Sequence, residues 1–384
     1  MYQHKVVLVG SPNYNGLGLV RSFGVNGIKP YGIVIGRDSQ KNYMEKSRYW
    51  AKTWHVDDAE DVMPLLRREF SSEEYRPVVF TWVDKMVQLF DAEYDTLSER
   101  FILPSFDSKQ GLINHLLSKK EQTDFAESIG FKMLLTMVLQ LPENKDDKPS
   151  GYPVILKPVA GSEGEKRDIK ICYDEQEYQK AIDIFVNKSY TRILRQPYLE
   201  NRIEFVLLGA ICPKEKYKSF TVLKNTRQWP VSFGIGCFSE YVTEPKVLDF
   251  ADSLFTALIE RGYDGPIDIE LFQANDGTLY INEFNWRTSG RNFTALDTGV
   301  YSIVWWYMLK TGHSLPDGQL VNRRAGYTMK ELEDFRHVMS KTLTLRQWLA
   351  DRKKTTGFAL WDKRDMRPAR YQYRRMLKKL IFRE

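Results

Sequence analysis

A chain of 384 residues, 42% apolar and 28% charged, has ordinary globular composition, which excludes wholesale disorder and leaves room for two or three subdomains. Three cysteines without CxxC spacing and five histidines without HExxH exclude a disulfide framework and a zinc site of the usual patterns. Of 56 basic and 50 acidic residues, fourteen and four fall in 341–384, so the net +6 divides into −4 for residues 1–340 and +10 for the tail. No basic-then-apolar leader opens the chain, and the apolar run Val300–Leu309 is far short of the roughly 20 residues that span a bilayer, so a cytoplasmic protein is expected.

In chain order, Lys5–Gly10 reads as a buried parallel strand, the loop Ser11–Gly18 leads into a helix over Leu19–Phe23, and Tyr31–Gly36 and Val78–Trp82 read as further strands. A helical stretch Lys85–Leu97 and a closing strand Arg100–Pro104 complete an open parallel α/β domain. Asp107–Gly130 turns helical, and Leu141–Gly151 is a polar loop. Strands follow at Val154–Lys157 and Ile169–Tyr173, a helix at Asp174–Lys188, and strands at Ile193–Leu199, Ile203–Leu208 and Trp229–Cys237. Val247–Gly262 is helical, and Asp268–Phe272 with Thr278–Phe284 makes a hairpin around Asn275–Asp276–Gly277.

The sharpest chemical signal ends that hairpin. Glu283 and Asn285 are two apart on an extended segment and share a face, and Glu270 lies on the partner strand. Two carboxylates and an amide oxygen make a hard, oxygen-only donor set that suits Mg²⁺. Taken alone, acidic residues on the polar face of a hairpin are more often simply solvated. Arg287, two further on, supplies a cation for charge developing on a transferring phosphoryl group. Lys157 ends the apolar strand of YPVILKP, and the turn Gly161–Gly164 lets backbone N–H groups approach a phosphate, although no Walker A motif is present. An ordinary strand end followed by a β-turn explains that segment equally well.

The order Lys119, Lys157 with its glycine turn, Gln196–Leu199, Glu270 and Glu283-Phe-Asn285-Trp-Arg287 resembles the ATP-grasp superfamily over roughly residues 1–315. The resemblance implies an ATP-grasp fold of mixed α/β class. It divides the chain into an N-terminal parallel α/β domain (1–106), an ATP-grasp domain (107–315, with subdomains 107–192 and 193–315 sandwiching ATP) and a basic C-terminal extension (316–384). It implies ATP and Mg²⁺, two ions with Mn²⁺ a substitute, and a carboxylate joined to an amine through an acyl phosphate. By the same resemblance, Lys119 and Lys157 contact phosphates, Gly161, Ser162 and Gly164 close over the triphosphate, and Gln196, Pro197 and Leu199 border adenine. Glu204 meets ribose or substrate, and Arg227 reaches the γ-phosphate. Glu270, Glu283 and Asn285 hold the metal, and Arg287 steadies the acyl phosphate.

The segments Arg227–Thr243, Asn285–Gly299 and Asp362–Pro368 resemble carboxylate–amine ligases of cell-envelope precursors, of the D-aspartate ligase type. That implies Arg291 and Asn292 at a substrate carboxylate and the loop with Asn15, together with Asp84, on the acceptor side. For Arg291, pairing with a structural acid is the competing reading. A carboxylase or dipeptide-forming ligase of the same superfamily, and a non-catalytic nucleotide-binding scaffold, stay open as alternatives, as does a homodimer. Pro368–Arg383 reads as a basic amphipathic helix, with three readings: peripheral contact at an anionic inner-membrane surface, nucleic-acid contact (for which stacking aromatics are missing), or packing of its apolar stripe on the body.

Overall fold

The computed structural model describes residues 2–37, 42–159, 168–231 and 234–382. It resolves into two compact units. One comprises Met1–Asn114, Val206–Ile269 and Asn285–Glu384, the other His115–Phe205 and Glu270–Phe284.

In the first unit, the all-apolar run Val6–Gly10 forms the inner strand of a parallel sheet of order Lys52–Val56, Tyr31–Ile35, Val6–Gly10, Val78–Thr81. The period-two alternation of a strand splits its side chains between two cores. Val6 and Leu8 pack with Leu17, Phe23 and Phe80, and Val7 and Val9 pack with Leu66, Phe70 and Phe90. The helix Tyr14–Val25 starts on an Asn13 cap, whose side chain accepts from the N–H groups of Asn15 and Gly16. Arg100–Pro104 does not form a closing strand. Its contribution is a single bridge, Ile102 to Val78, because Pro104 has no N–H to continue a ladder. Lys52–Val56 is a strand the sequence reading passed over, since its half-exposed residues KTWHV carry no continuous apolar run.

A second sheet takes its residues in this unit, in spatial order, from the strands Tyr263–Gln273 (to Ile269), Ile203–Cys212 (from Val206), Tyr217–Trp229, Ile235–Tyr241, Tyr327–Met329 and Thr355–Phe358. The expected strand Trp229–Cys237 instead straddles the connection between two long strands, with Pro230 at the break. The tail becomes the helix Arg367–Phe382. Ala369 is buried and Tyr373 packs against the core, whereas Leu377, of the apolar stripe, is exposed. A fully buried pair anchors the segment before it. The Arg21 guanidinium donates to Asp365 Oδ2 at 3.2 Å and to the carbonyls of Ala359, Leu360 and Asp365.

The second unit holds an antiparallel sheet of order Met137–Gln140, Arg192–Pro197, Val154–Pro158, Lys170–Cys172. Helix Glu175–Asn187 covers it through Tyr178, Ala181, Ile182 and Phe185, which repeat at helical spacing. The stretch expected to be helical from Asp107 to Gly130 breaks in two. Leu112–His115 is a single turn, and Lys119–Ser128 restarts on a Ser118 cap. Helix and hairpin lock together here. The Gln122 amide exchanges hydrogen bonds with both backbone groups of Phe284, and the Phe125 ring meets Phe284 edge-on. Among the described residues, no helix is long and apolar enough to cross a membrane.

Candidate functional site

Lys157 sits at the end of Val154–Pro158, a strand whose three preceding residues are buried, so its stem is held and its ammonium is presented at the strand mouth. Its neighbour across the sheet is Arg192–Pro197, and Lys157 Nζ lies 3.4 Å from Gln196 Oε1. Gln196 in turn donates to Thr136 Oγ1 at 3.0 Å and to Asn282 Oδ1 at 3.5 Å, and Asn282 donates to Glu270 Oε2 at 3.1 Å. Lys119, on the first turn of its helix, pairs with Glu283 Oε1 at 2.7 Å. Within this one unit, lysine, glutamine, asparagine and glutamate thus form a connected polar run. Thr136 and Asn282 are members the sequence reading missed, because Thr136 precedes the strand Met137–Gln140, Asn282 lies between apolar residues of its strand, and neither carries a motif.

The charged groups of this run act on one another. Burial lowers the Lys157 ammonium's proton affinity most, and the nearby Lys119 charge lowers it further, while Glu283 and Glu270 pull the other way. The strand Leu279–Asn285 alternates as a strand must. Phe284 is buried, and Glu283 and Asn285 are half-buried on the opposite face. Carboxylate and amide oxygens with no sulfur or imidazole fit Mg²⁺ or Mn²⁺ better than a soft metal. Pro197, whose strand partner is Val154, and Leu199, whose carbonyl accepts from Arg202, border the same sheet, and Glu204 pairs with Arg202 at 2.8 Å. Gly161, Ser162 and Gly164 lie outside the described residues.

The first unit holds the remaining candidates. Arg287 forks onto Asp84, with Nε 2.5 Å from Oδ1 and Nη2 3.4 Å from Oδ2, and donates to Asn285 Oδ1 at 3.1 Å. Asp84, read as an acceptor-side residue, is thus the partner that aims this arginine. Arg291 is buried, and its fork reaches Ser239 Oγ (2.7 Å), Asn225 Oδ1 (2.6 Å) and the Gly236 carbonyl (3.1 Å), all neutral oxygens. Asn292 is buried and donates to the Ser289 carbonyl, so its side chain closes a local turn. Asn15 lies against Gly290, where a Cβ would stand 2.6 Å from its Oδ1. Arg227 is committed elsewhere. It pairs with buried Asp334 at 2.9 Å and with Asp351 at 2.5 Å and stacks 4.2 Å from the Phe238 ring centroid, which accounts for its charge without a phosphate.

No known family model and no curated protein matches the sequence. Solved structures do. N5-carboxyaminoimidazole synthetase from Staphylococcus aureus is 14% identical, with 89% of this chain and 86% of that chain covered and a TM-score of 0.65. The biotin carboxylase domain of 2-oxoglutarate carboxylase from Hydrogenobacter thermophilus, solved with MgADP, ADP and bicarbonate, is 18% identical over 85% and 74% of the two chains, with a TM-score of 0.64. L-amino acid ligase from Bacillus licheniformis is 15% identical over 85% and 80%, with a TM-score of 0.63. The chain has the ATP-grasp fold.

Proposed function

We propose that this protein is an ATP- and Mg²⁺-dependent carboxylate–amine ligase. The observation that carries the reading is the convergence on Lys157 of a second ammonium and two carboxylates, Lys119, Glu283 and Glu270, within an ATP-grasp fold. A carboxylate and an amine do not condense at neutral pH. Transfer of the γ-phosphoryl group to a carboxylate oxygen releases ADP and makes a mixed anhydride. The amine lone pair then attacks the acyl carbon, the C–O bond to phosphate breaks, inorganic phosphate leaves, and the amine gives up a proton. In this reading Lys119 and Lys157 hold phosphate oxygens, and Gln196, Pro197 and Leu199 border the base. Arg287, aimed by Asp84, stabilises the charge of the acyl phosphate and of the tetrahedral adduct. Glu270, Glu283 and Asn285 are the residues that would hold the metal, which neutralises triphosphate charge when bound.

The finer assignment follows the resemblance of Asn285–Gly299. We infer attachment of an amino acid to a peptide, cell-wall or glycan precursor by a cytoplasmic enzyme, with residues 1–106, 107–315 and 316–384 as acceptor-side, nucleotide and tail regions. Arg227 we assign a structural part. The carboxylase alternative predicts ADP release that depends on bicarbonate, whereas the ligase reading predicts dependence on both a carboxylate and an amine.

Lys157→Met keeps the length of the side chain and removes its charge. It is expected to weaken ATP binding by roughly 10- to 100-fold, the range for deleting one hydrogen bond to a charged group. Calorimetric titration of MgATP checks this, and unchanged affinity would remove Lys157 from the nucleotide site.

A further inference from the structure

Outside the nucleotide residues, the first unit brings together three buried side chains of metal-ligating type from two elements. Asp334 and His337 lie three apart on the helix Glu331–Met339 and so share one face of it, and Cys237 lies on the strand Ile235–Tyr241. The helix packs against that strand and against Tyr217–Trp229. One donor atom from each residue, a thiol sulfur, a carboxylate oxygen and a ring nitrogen, falls within 4.8 Å of the other two. Cys237 Sγ stands 3.3 Å from Asp334 Oδ1, although the two residues are 97 positions apart, so no ligand spacing marks them in the sequence. Ligands on a tetrahedral zinc, with bonds of about 2.0–2.3 Å, are themselves roughly 3.3–3.7 Å apart, so sulfur and oxygen already have the spacing of two corners.

Partners outside the cluster orient two of the three, as second-shell groups orient metal ligands. Arg227 forks onto Asp334, Nε to Oδ1 at 3.0 Å and Nη2 to Oδ2 at 2.9 Å, which takes two of the roughly four lone-pair sites of a carboxylate. The same guanidinium also meets Asp351, so its charge is divided between two acids. His337 Nε2 lies 3.1 Å from the Gln228 carbonyl and Nδ1 2.9 Å from Thr342 Oγ1. Whichever nitrogen meets a metal, the other keeps an oxygen partner. A hydrogen-bond network alone would be better served by serine at position 237, because a thiol is a weak donor. Thiolate, imidazole and carboxylate together suit zinc, in contrast to the oxygen-only set of Glu270, Glu283 and Asn285.

We propose that Cys237, Asp334 and His337 bind one Zn²⁺, which clamps the helix Glu331–Met339 to the strand Ile235–Tyr241. Binding breaks the Cys237 S–H bond, forms a metal–sulfur bond and releases the proton to solvent. Thiolate and carboxylate balance the charge of the ion, and water takes the fourth corner of the tetrahedron. The clamp is independent of the ligase reading, since none of the three residues has a part in nucleotide binding or acyl transfer.

The test uses the full-length, untagged protein, stripped by a chelator that is then removed, without Mg²⁺ or nucleotide. Adding Zn²⁺ is expected to raise Tm, because the ion binds the folded centre. Co²⁺ in its place is expected to give a thiolate-to-cobalt charge-transfer band in the near ultraviolet, with the strong visible bands of a tetrahedral ion. Cys237→Ser keeps the size of the side chain and a donor to Asp334. It should abolish the charge-transfer band and weaken Zn²⁺ binding by about 100-fold or more, since losing a mere outer-shell partner costs roughly 10- to 100-fold. Cys172→Ser and Cys212→Ser, at the other two buried cysteines, should keep the band.

Should Cys237→Ser fail to fold, His337→Gln gives the second reading, with Zn²⁺ affinity lowered by a similar factor and the cobalt spectrum altered. A wild-type protein with neither a rise in Tm nor a charge-transfer band overturns the proposal, and so does a band that survives in Cys237→Ser. Metal that binds without a sulfur band sits on carboxylates elsewhere and overturns it equally. Because nucleotide is absent throughout, a zinc clamp in a protein that never forms ADP would sink the ligase reading and leave the clamp standing.

Discussion

Glu283→Ala is expected to lower substrate-dependent ADP formation about a thousandfold or more and to leave the fold intact. In the reading above, Glu283 is a metal ligand, and loss of the metal's charge stabilisation amounts to several kcal/mol in the transition state. Its side chain is 37% exposed and polar, so its removal takes no core packing with it. Circular dichroism and thermal melting should match wild type. Loss of activity with a collapsed fold would make Glu283 a structural residue, and full activity in a folded variant would remove it from the metal site.

Asp365→Ala is expected to destabilise the protein by about 3–5 kcal/mol, the cost of leaving a buried charge without its partner. Arg21 is 0% exposed, and its guanidinium is met by Asp365 and by the carbonyls of Ala359, Leu360 and Asp365 itself. Asp365 Oδ1 also accepts from the Arg48 backbone N–H at 3.1 Å. Deleting the carboxylate strands a cation inside the core that ties the first helix to the segment preceding the tail helix. Replacing both partners, as Arg21→Met with Asp365→Leu, should recover much of the loss, because an apolar pair needs no counter-charge. Urea denaturation of the three variants measures this. Equal stability of Asp365→Ala and wild type would show the pair to be energetically idle.

These two sites differ in how far they could be read in advance. Glu283, Asn285 and Arg287 announce themselves because a strand places every second residue on one face, so a polar set at that spacing beside apolar neighbours is visible in the string. Lys157 is visible for a similar reason, as a charge terminating an apolar run. Arg227 is less legible, because a cation near a strand end looks the same in sequence whether it meets a phosphate or an acid. Its partners, Asp334 and Asp351, are 107 and 124 positions away. The Arg21–Asp365 pair spans 344 positions and left no trace in the sequence pattern. Among the elements, strand Met137–Gln140 escaped notice because three of its four residues are exposed and carry no buried-strand pattern. Parallel strands with continuous apolar runs, such as Val6–Gly10, were plain.

The most direct measurement is hydroxylamine trapping. With MgATP and a panel of simple carboxylates and amino acids, hydroxylamine should intercept the mixed anhydride and give one hydroxamate and one phosphate per ADP. ADP formation in step with hydroxamate, and lost in Glu283→Ala, is the predicted result. ATP consumption that never yields a hydroxamate or an amide with any carboxylate, or ADP formation that requires only bicarbonate, would contradict the account.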